Sequence, residues 1–304
     1  MSKLTSLAEA IERLAPDGVS LVMSAALEAA IPFAAGAELI RQQRRDLSVI
    51  APISDLLFDQ LIGAGCVSRV QAAWVGNVSA GLGHNFRRAA EQHIPRPIVI
   101  EEHSNFSISL ALLAGALGTP YLPTRSLLGT DILRHNPSFQ TETNPFGNDP
   151  LVLVPALTPD VAILHVQRAD ETGGAHAWGN LGVSREAIMA ARHTILTAEE
   201  IVPVEVIRSD PNRVLGPPTK VAAVVHQPGG AHPAPVQGYY HRDHDFFHQY
   251  HRATRTPEGW EAWLHEWILD VPNRAAYLAK LGADRWNALQ RREHRYAAAV
   301  DYGY

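Results

Sequence analysis

Two adjacent carboxylates, Glu101 and Glu102, close the apolar run that begins at Pro97, and His103, Ser104 and Asn105 follow at once. In open α/β sheets, ligands bind at the carboxyl ends of parallel strands, so a carboxylate there is a candidate acid–base group. Desolvation beside a like charge would raise its pKa and suit it to proton transfer. The structural alternative leaves one carboxylate in solvent, while the other accepts hydrogen bonds from the following helix N-terminus. Further along, Arg125 can clamp a substrate carboxylate with its planar fork, with Ser126 and Thr130 donating to a substrate oxygen. It can equally pair with Asp131 and simply fix the loop. Gln167 and Asp170 follow the run Val161 to Val166 and precede Gly173-Gly174. They can face a site, but holding the loop Glu171 to Asn180 is the expected role.

Other chemistries find little support. His241, His244, His248 and His251 fall within an arc of about 80° if one helix carries them all, and His244/His248 has a workable chelating spacing. No Cys or Glu completes a metal pattern, so none is expected to bind. Asp243 and Asp245 are expected to pair with Arg242 or Arg252. The stretch Gly81-Leu82-Gly83-His84-Asn85-Phe86 lacks the third glycine of a dinucleotide loop. Phosphate-binding, nucleophile-elbow, HExxH and CxxC motifs are absent. Cys66 sits among apolar residues and reads as an inert buried thiol.

The elements that must position these residues alternate. Apolar runs at 19–23, 47–52, 70–76, 97–102, 161–166, 193–202 and 221–226 read as strands, several of them continuously apolar, as parallel strands covered on both faces require. Helical patterns at 6–14, 33–44, 106–117 and 186–192 lie between them. The expected fold is α/β: one domain over 1–304, built on an open, mostly parallel sheet with flanking helices. A helical C-terminal extension, 241–304, is expected to pack on it. In that extension Thr256 and Pro257 start one helix and Asp270 and Pro272 the next, while Trp260, Trp263, Trp267 and Ile268 form a core-facing stripe. The charge of −5, from 26 basic and 31 acidic residues in 304, argues against nucleic acid as a partner. One cysteine fits a reducing compartment, and no apolar run is long enough for a membrane helix. The N-terminus carries Glu9 and Glu12 and is neither a signal nor a transit peptide, so a cytoplasmic protein is expected.

Four segments resemble the alpha (A-type) subunits of class I coenzyme A transferases, especially the glutaconate type. They are Glu101 to Ile132, Val161 to Gly179, Ala191 to Val202 and Gly229 to Ile268, in the family's order. The resemblance implies an open α/β chain, a homologous beta subunit for its partner, an active site at their junction, and coenzyme A as a substrate with no permanent cofactor. It places Ser24, Ala25, His103, Ser104, Arg125, Ser126, Thr130 and Gln167 around substrate or CoA, with Glu102 the one candidate catalytic group in this chain.

There are departures. The family's Gly-Gly-Phe positions read Ser24-Ala25-Ala26, and a later glycine is Ala30. Those side chains narrow the approach that glycine permits. The Ser-Glu-Asn-Gly signature carrying the nucleophilic glutamate is absent, so the nucleophile is expected on the partner. The resemblance thus implies CoA transfer between an acyl-CoA and a carboxylic acid. Two alternatives remain: a ring-opening CoA-thioester hydrolase working through Glu102, and a non-catalytic scaffold.

Overall fold

The continuously apolar runs form one parallel sheet. The structure, a computed structural model, describes residues 2–291. Its strands are β1 (Ser20–Val22), β2 (Leu47–Ile53), β3 (Val67–Trp74), a two-residue hairpin β4 (Gly76–Asn77) and β5 (Gly81–Leu82), and β6 (Val99–Glu102). Then come β7 (Tyr121–Thr124), β8 (Gln140–Thr143), β9 (Pro150–Pro155), β10 (Val161–Ala169), β11 (Ala175–His176), β12 (His193–Ile201) and β13 (Val221–His226). The main sheet runs β13-β12-β10-β1-β2-β3-β6, all parallel, with the short β11 antiparallel to β10. The expected open, mostly parallel α/β architecture is present. Strand order reverses between β1 and β10, the switch point of a doubly wound sheet.

Alternation along the strands separates two apolar layers. Leu21, Val49, Ile163 and Ile195 face helices Leu7–Leu14, Phe33–Arg41 and Leu56–Gly63. Val22, Ile50, Leu164 and Leu196 face helices Asn105–Leu117 and Ser184–Ala190. Beyond the first layer pack helices His244–Ala253, Pro257–Leu264 and Arg274–Leu281. Trp260, Trp263, Trp267 and Ile268 are buried there as a core stripe, with Phe246 edge-on to Trp263 and Trp267 at 5.2 and 4.9 Å. Thr256 caps its helix as expected, but Asn273 rather than Asp270 opens the next, accepting from the Ala276 amide at 3.0 Å. Residues 292–304 of the helical extension lie outside the described residues.

Strands β7, β9 and β8 form a separate antiparallel sheet beside helix Asn105–Leu117. No helix among the described residues is long and apolar enough to cross a membrane. Cys66 is buried, and burial pushes its thiol up to about 12.

Candidate functional site at the strand ends

The register of β6 on β3 decides which way the paired carboxylates point. Ala72 is opposite Glu102 and Gln71 opposite Glu101, so the two side chains leave opposite faces of the sheet. Glu101 is bonded to Arg69 and Gln71. It takes its hydrogen bonds from strand neighbours, not from a helix N-terminus. Glu102 is exposed at the lip of a groove between the sheet edge and helix His84–Gln92. The desolvation expected of this carboxylate is therefore not supplied by this chain alone. Its backbone carbonyl accepts from Asn136 Nδ2 at 2.9 Å.

His103, the next residue, turns inward. It is buried, its Nδ1 lies 3.2 Å from Ser107 Oγ, and its ring stands edge-on to Phe139 at 5.2 Å. Burial pushes the imidazole down to about 4, so it is neutral near pH 7. Ser104 is committed to capping: its Oγ accepts from the Ser107 amide at 3.0 Å, and the Ser107 hydroxyl accepts from the Ser104 amide in return. Such a cap contributes about 1 kcal/mol.

Phe139 packs in one cluster with Leu127 of the Arg125 loop, which connects that loop to the His103 side of the sheet. Arg125 is two-thirds exposed and pairs with Asp149, whereas Asp131 pairs with Arg134 at 2.9 Å. The Ser126 amide donates to Thr124 Oγ1, and Thr130 caps helix Asp131–His135.

At the switch point the structure brings Ser24, Ala25 and Gln167 together. The crevice they line with His165 and Trp178 has a volume of about 10 Å³, room for one water. Gln167 donates to the Trp178 and Gln237 carbonyls and accepts from the Trp178 amide, fixing the loop after β11. Asp170 Oδ1 accepts from the Thr172 and Gly174 amides.

The loop after β1 keeps a glycine-type path without glycine. Ser24, Leu27 and Ala30 have φ of 54°, 61° and 48°. A side-chain-bearing residue there costs about 1–3 kcal/mol. Replacing Ala30 by glycine is therefore expected to raise unfolding stability by about 1 kcal/mol in denaturant titration, after glycine's entropy is subtracted. An unchanged or lower midpoint would show that the loop is not strained.

Several features go unannounced by the sequence. Asp55, just past the end of β2, is fully buried at φ 48° and ψ −141°. Burial pushes its carboxyl up to about 6 against the opposing pull of Arg242, whose Nη2 is 2.7 Å away. Its visible signal is a polar Ser-Asp pair directly after a parallel strand. Arg242 thus pairs with Asp55, not with Asp243 or Asp245 as expected. Asp243 instead accepts from both Arg285 Nε and Nη2 at 2.7 Å and lies 3.0 Å from His232 Nε2. Glu199 joins His165, Tyr240 and the Gly229 amide in a second buried network.

The four histidines do not share a helix, since His241 precedes it. His244 Nδ1 lies 3.1 Å from Ser79 Oγ, and the His251 ring lies tilted against His84 with centroids 4.5 Å apart. Among the described residues no three ligating side chains converge to hold a metal. The glycine stretch supplies β5 and a helix start. Gly83 is there for packing, because a Cβ would lie 2.7 Å from Asp59 Oδ1.

These features define an open, doubly wound α/β chain whose acidic groups collect at the carboxyl ends of its parallel strands. A family model described as Coenzyme A transferase matches residues 4–227. The alpha (A-type) subunit of 3-oxoadipate CoA-transferase from Pseudomonas knackmussii is 37% identical, covering 92% of this chain and 99% of its own. The corresponding subunit of glutaconate CoA-transferase from Acidaminococcus fermentans is 31% identical over 94% of this chain and 93% of its own. The crystal structure of that enzyme matches with a TM-score of 0.90 over 96% of both chains. A cholesterol ring-cleaving hydrolase IpdA subunit from Mycobacterium tuberculosis is 33% identical over 52% of this chain and 57% of its own. The chain belongs to the coenzyme A transferase family.

Proposed function

We propose that this chain is the alpha subunit of a heteromeric CoA-transferase, moving CoA from an acyl-CoA to a carboxylic acid in the cytoplasm. Coenzyme A is its substrate, no cofactor is permanently bound, and a homologous beta subunit carries the attacking glutamate. The supporting observation is the match to the A subunits of two transferases, 37% and 31% identical over more than nine-tenths of both chains, against 33% over about half of this chain and 25% over 78% of it for two hydrolase IpdA subunits.

In the reaction, the partner's carboxylate attacks the thioester carbonyl and expels CoA thiolate, leaving an acyl–glutamyl anhydride. The thiolate attacks the glutamyl carbonyl, which releases the first acid and forms a glutamyl thioester. The acceptor carboxylate attacks that thioester and again expels CoA thiolate, giving a second anhydride. The thiolate then attacks its acyl carbonyl, forming the new acyl-CoA and freeing the glutamate. Splitting the transfer in this way replaces one difficult step by easier ones. Water must be excluded throughout, because anhydride and thioester both hydrolyse. This chain contributes the pocket wall from the ends of β3 and β6 and the loops that hold them. The exposed side chain of Ile100, on the same face of the sheet as Glu102, leaves that wall open on one side for a companion to close.

The exposed carboxylate of Glu102 favours one second reading, a thioester hydrolase in which this chain's own glutamate acts. One experiment separates the two. Borohydride reduction of the substrate-loaded pair is expected to mark a glutamate of the partner, and Glu102→Gln is expected to keep transfer within about tenfold of the unmodified pair. A reduced residue in this chain, or loss of all turnover in Glu102→Gln, would transfer the chemistry to Glu102.

A further inference from the structure

The groove beside Glu102 has walls that say what fits it. Val70, Trp74 and Ile100 line its sheet side and Phe86 its helix side, with Leu82 at the rim. Its volume is about 520 Å³, within the range of small-molecule sites. The indole wall is fixed by backbone: a Cβ on Gly76 would lie 2.8 Å from the Trp74 ring and 2.7 Å from the Gly81 carbonyl. Only glycine lets the β4–β5 hairpin lie against that ring.

The charges in the groove are as informative as its shape. Arg87 is the one cation that lines it, and its Nε is bonded to Glu91 Oε1 at 2.7 Å. Arg69 leaves the other face of the sheet, with Glu101. Glu91 lines the groove as well, so with Glu102 two carboxylates stand against the one guanidinium. A substrate carboxylate placed in this groove would compete with Glu91 for the one guanidinium and would face Glu102. Placing such a group where acidic side chains outnumber the basic one is unfavourable.

We infer that this groove is the acyl subsite and that it selects a bulky apolar acyl group, long-chain or cyclic, over a short dicarboxylic one. The inference rests on the transferase reading, with the thioester end of the substrate toward Glu102 and the apolar end along Trp74, Phe86 and Ile100. Each methylene taken into such a pocket is worth about 10- to 200-fold in discrimination. The competing occupant is an apolar side chain of the partner subunit.

The test uses the assembled pair, with hexanoyl-CoA and cyclohexanecarbonyl-CoA set against succinyl-CoA and glutaryl-CoA. Both equilibrium binding and kcat/KM are measured. The apolar pair is expected to be favoured by at least about tenfold. Ala90→Trp, at an exposed helix position facing the groove, is expected to cut that ratio about tenfold, as is Ile100→Lys, which adds a second cation and balances the two carboxylates. A preference for dicarboxylic substrates that neither variant shifts would overturn the subsite. So would groove protection from hydrogen exchange that appears on pairing alone and is unchanged by hexanoyl-CoA. Failure of transfer with every acyl-CoA would instead remove the transferase reading, while the binding ratio and its response to the two variants still decide the subsite.

Discussion

The pure chain, assayed without a partner, is expected to transfer CoA at least about 10⁴-fold more slowly than the same chain mixed with a Ser-Glu-Asn-Gly-bearing companion. Loss of a covalent nucleophile costs an enzyme on that scale, because what remains is binding and orientation without the attacking group. The geometry gives the reason. Glu101 is tied to Arg69 and Gln71, and Glu102 stands in solvent at an open lip. The switch-point crevice admits about one water. Titrating the companion into the chain should raise turnover to a plateau at a fixed stoichiometry. Equal turnover by the chain alone would place a complete site within it.

The second large effect is on stability. Asp243 is expected to be the most sensitive polar position in the C-terminal helices. Its carboxylate caps helix His244–Ala253 through the Phe246 amide, receives both Arg285 bonds and meets His232. Although burial alone would raise it, the bonds from His232, Arg285 and the Phe246 amide hold the carboxyl well below the usual range. Asp243→Ala should therefore cost about 3 kcal/mol, because it strands two partners and removes a cap together.

The pH sign follows from the depressed value. The stabilisation is present above the unfolded pKa of about 4 and is lost as pH falls below it toward the lower folded value. Unfolding curves of the variant and the unmodified chain should converge in strong acid and stay apart at neutral pH. Buried His232 and His103 add a separate acid sensitivity. Both are pushed down to about 4 by burial, chiefly so in His232. An unfolded imidazole takes up its proton near 6.5, so stability should fall from about pH 6.5 towards pH 4. A flat stability profile over that interval would show that these imidazoles are not held neutral.

The main sheet is legible in the sequence because parallel strands buried on both faces are continuously apolar; the run 221–226 reads as a strand, and β13 occupies Val221–His226. Helix Leu56–Gly63 is not legible, because its polar Asp59 and Gln60 are buried along with Leu56, Leu57, Phe58, Leu61 and Ile62, and no solvent-facing polar stripe marks the period. The β8 strand fails for the opposite reason: Gln140 to Thr143 are all exposed, so no apolar alternation marks it. At the candidate site the sequence places Glu102 and His103 correctly at a strand end. It cannot assign partners, since charge pairing follows tertiary proximity. Arg125 takes Asp149 rather than nearby Asp131, and Asp243 reaches Arg285 across 42 positions. The departure at Ser24-Ala25-Ala26 is legible as composition, yet the left-handed backbone of Ser24 and Ala30 shows that the path of the loop outlasts its glycines.

Strand β6 is the last rung of the sheet, paired with another strand on one side only among the described residues, with Val99 50% and Ile100 42% exposed. A bare rung of that kind invites adhesion between identical copies. If the proposed companion covers that rung, this polypeptide made in surplus would leave a sticky remainder, and synthesis of the two chains is expected to be matched.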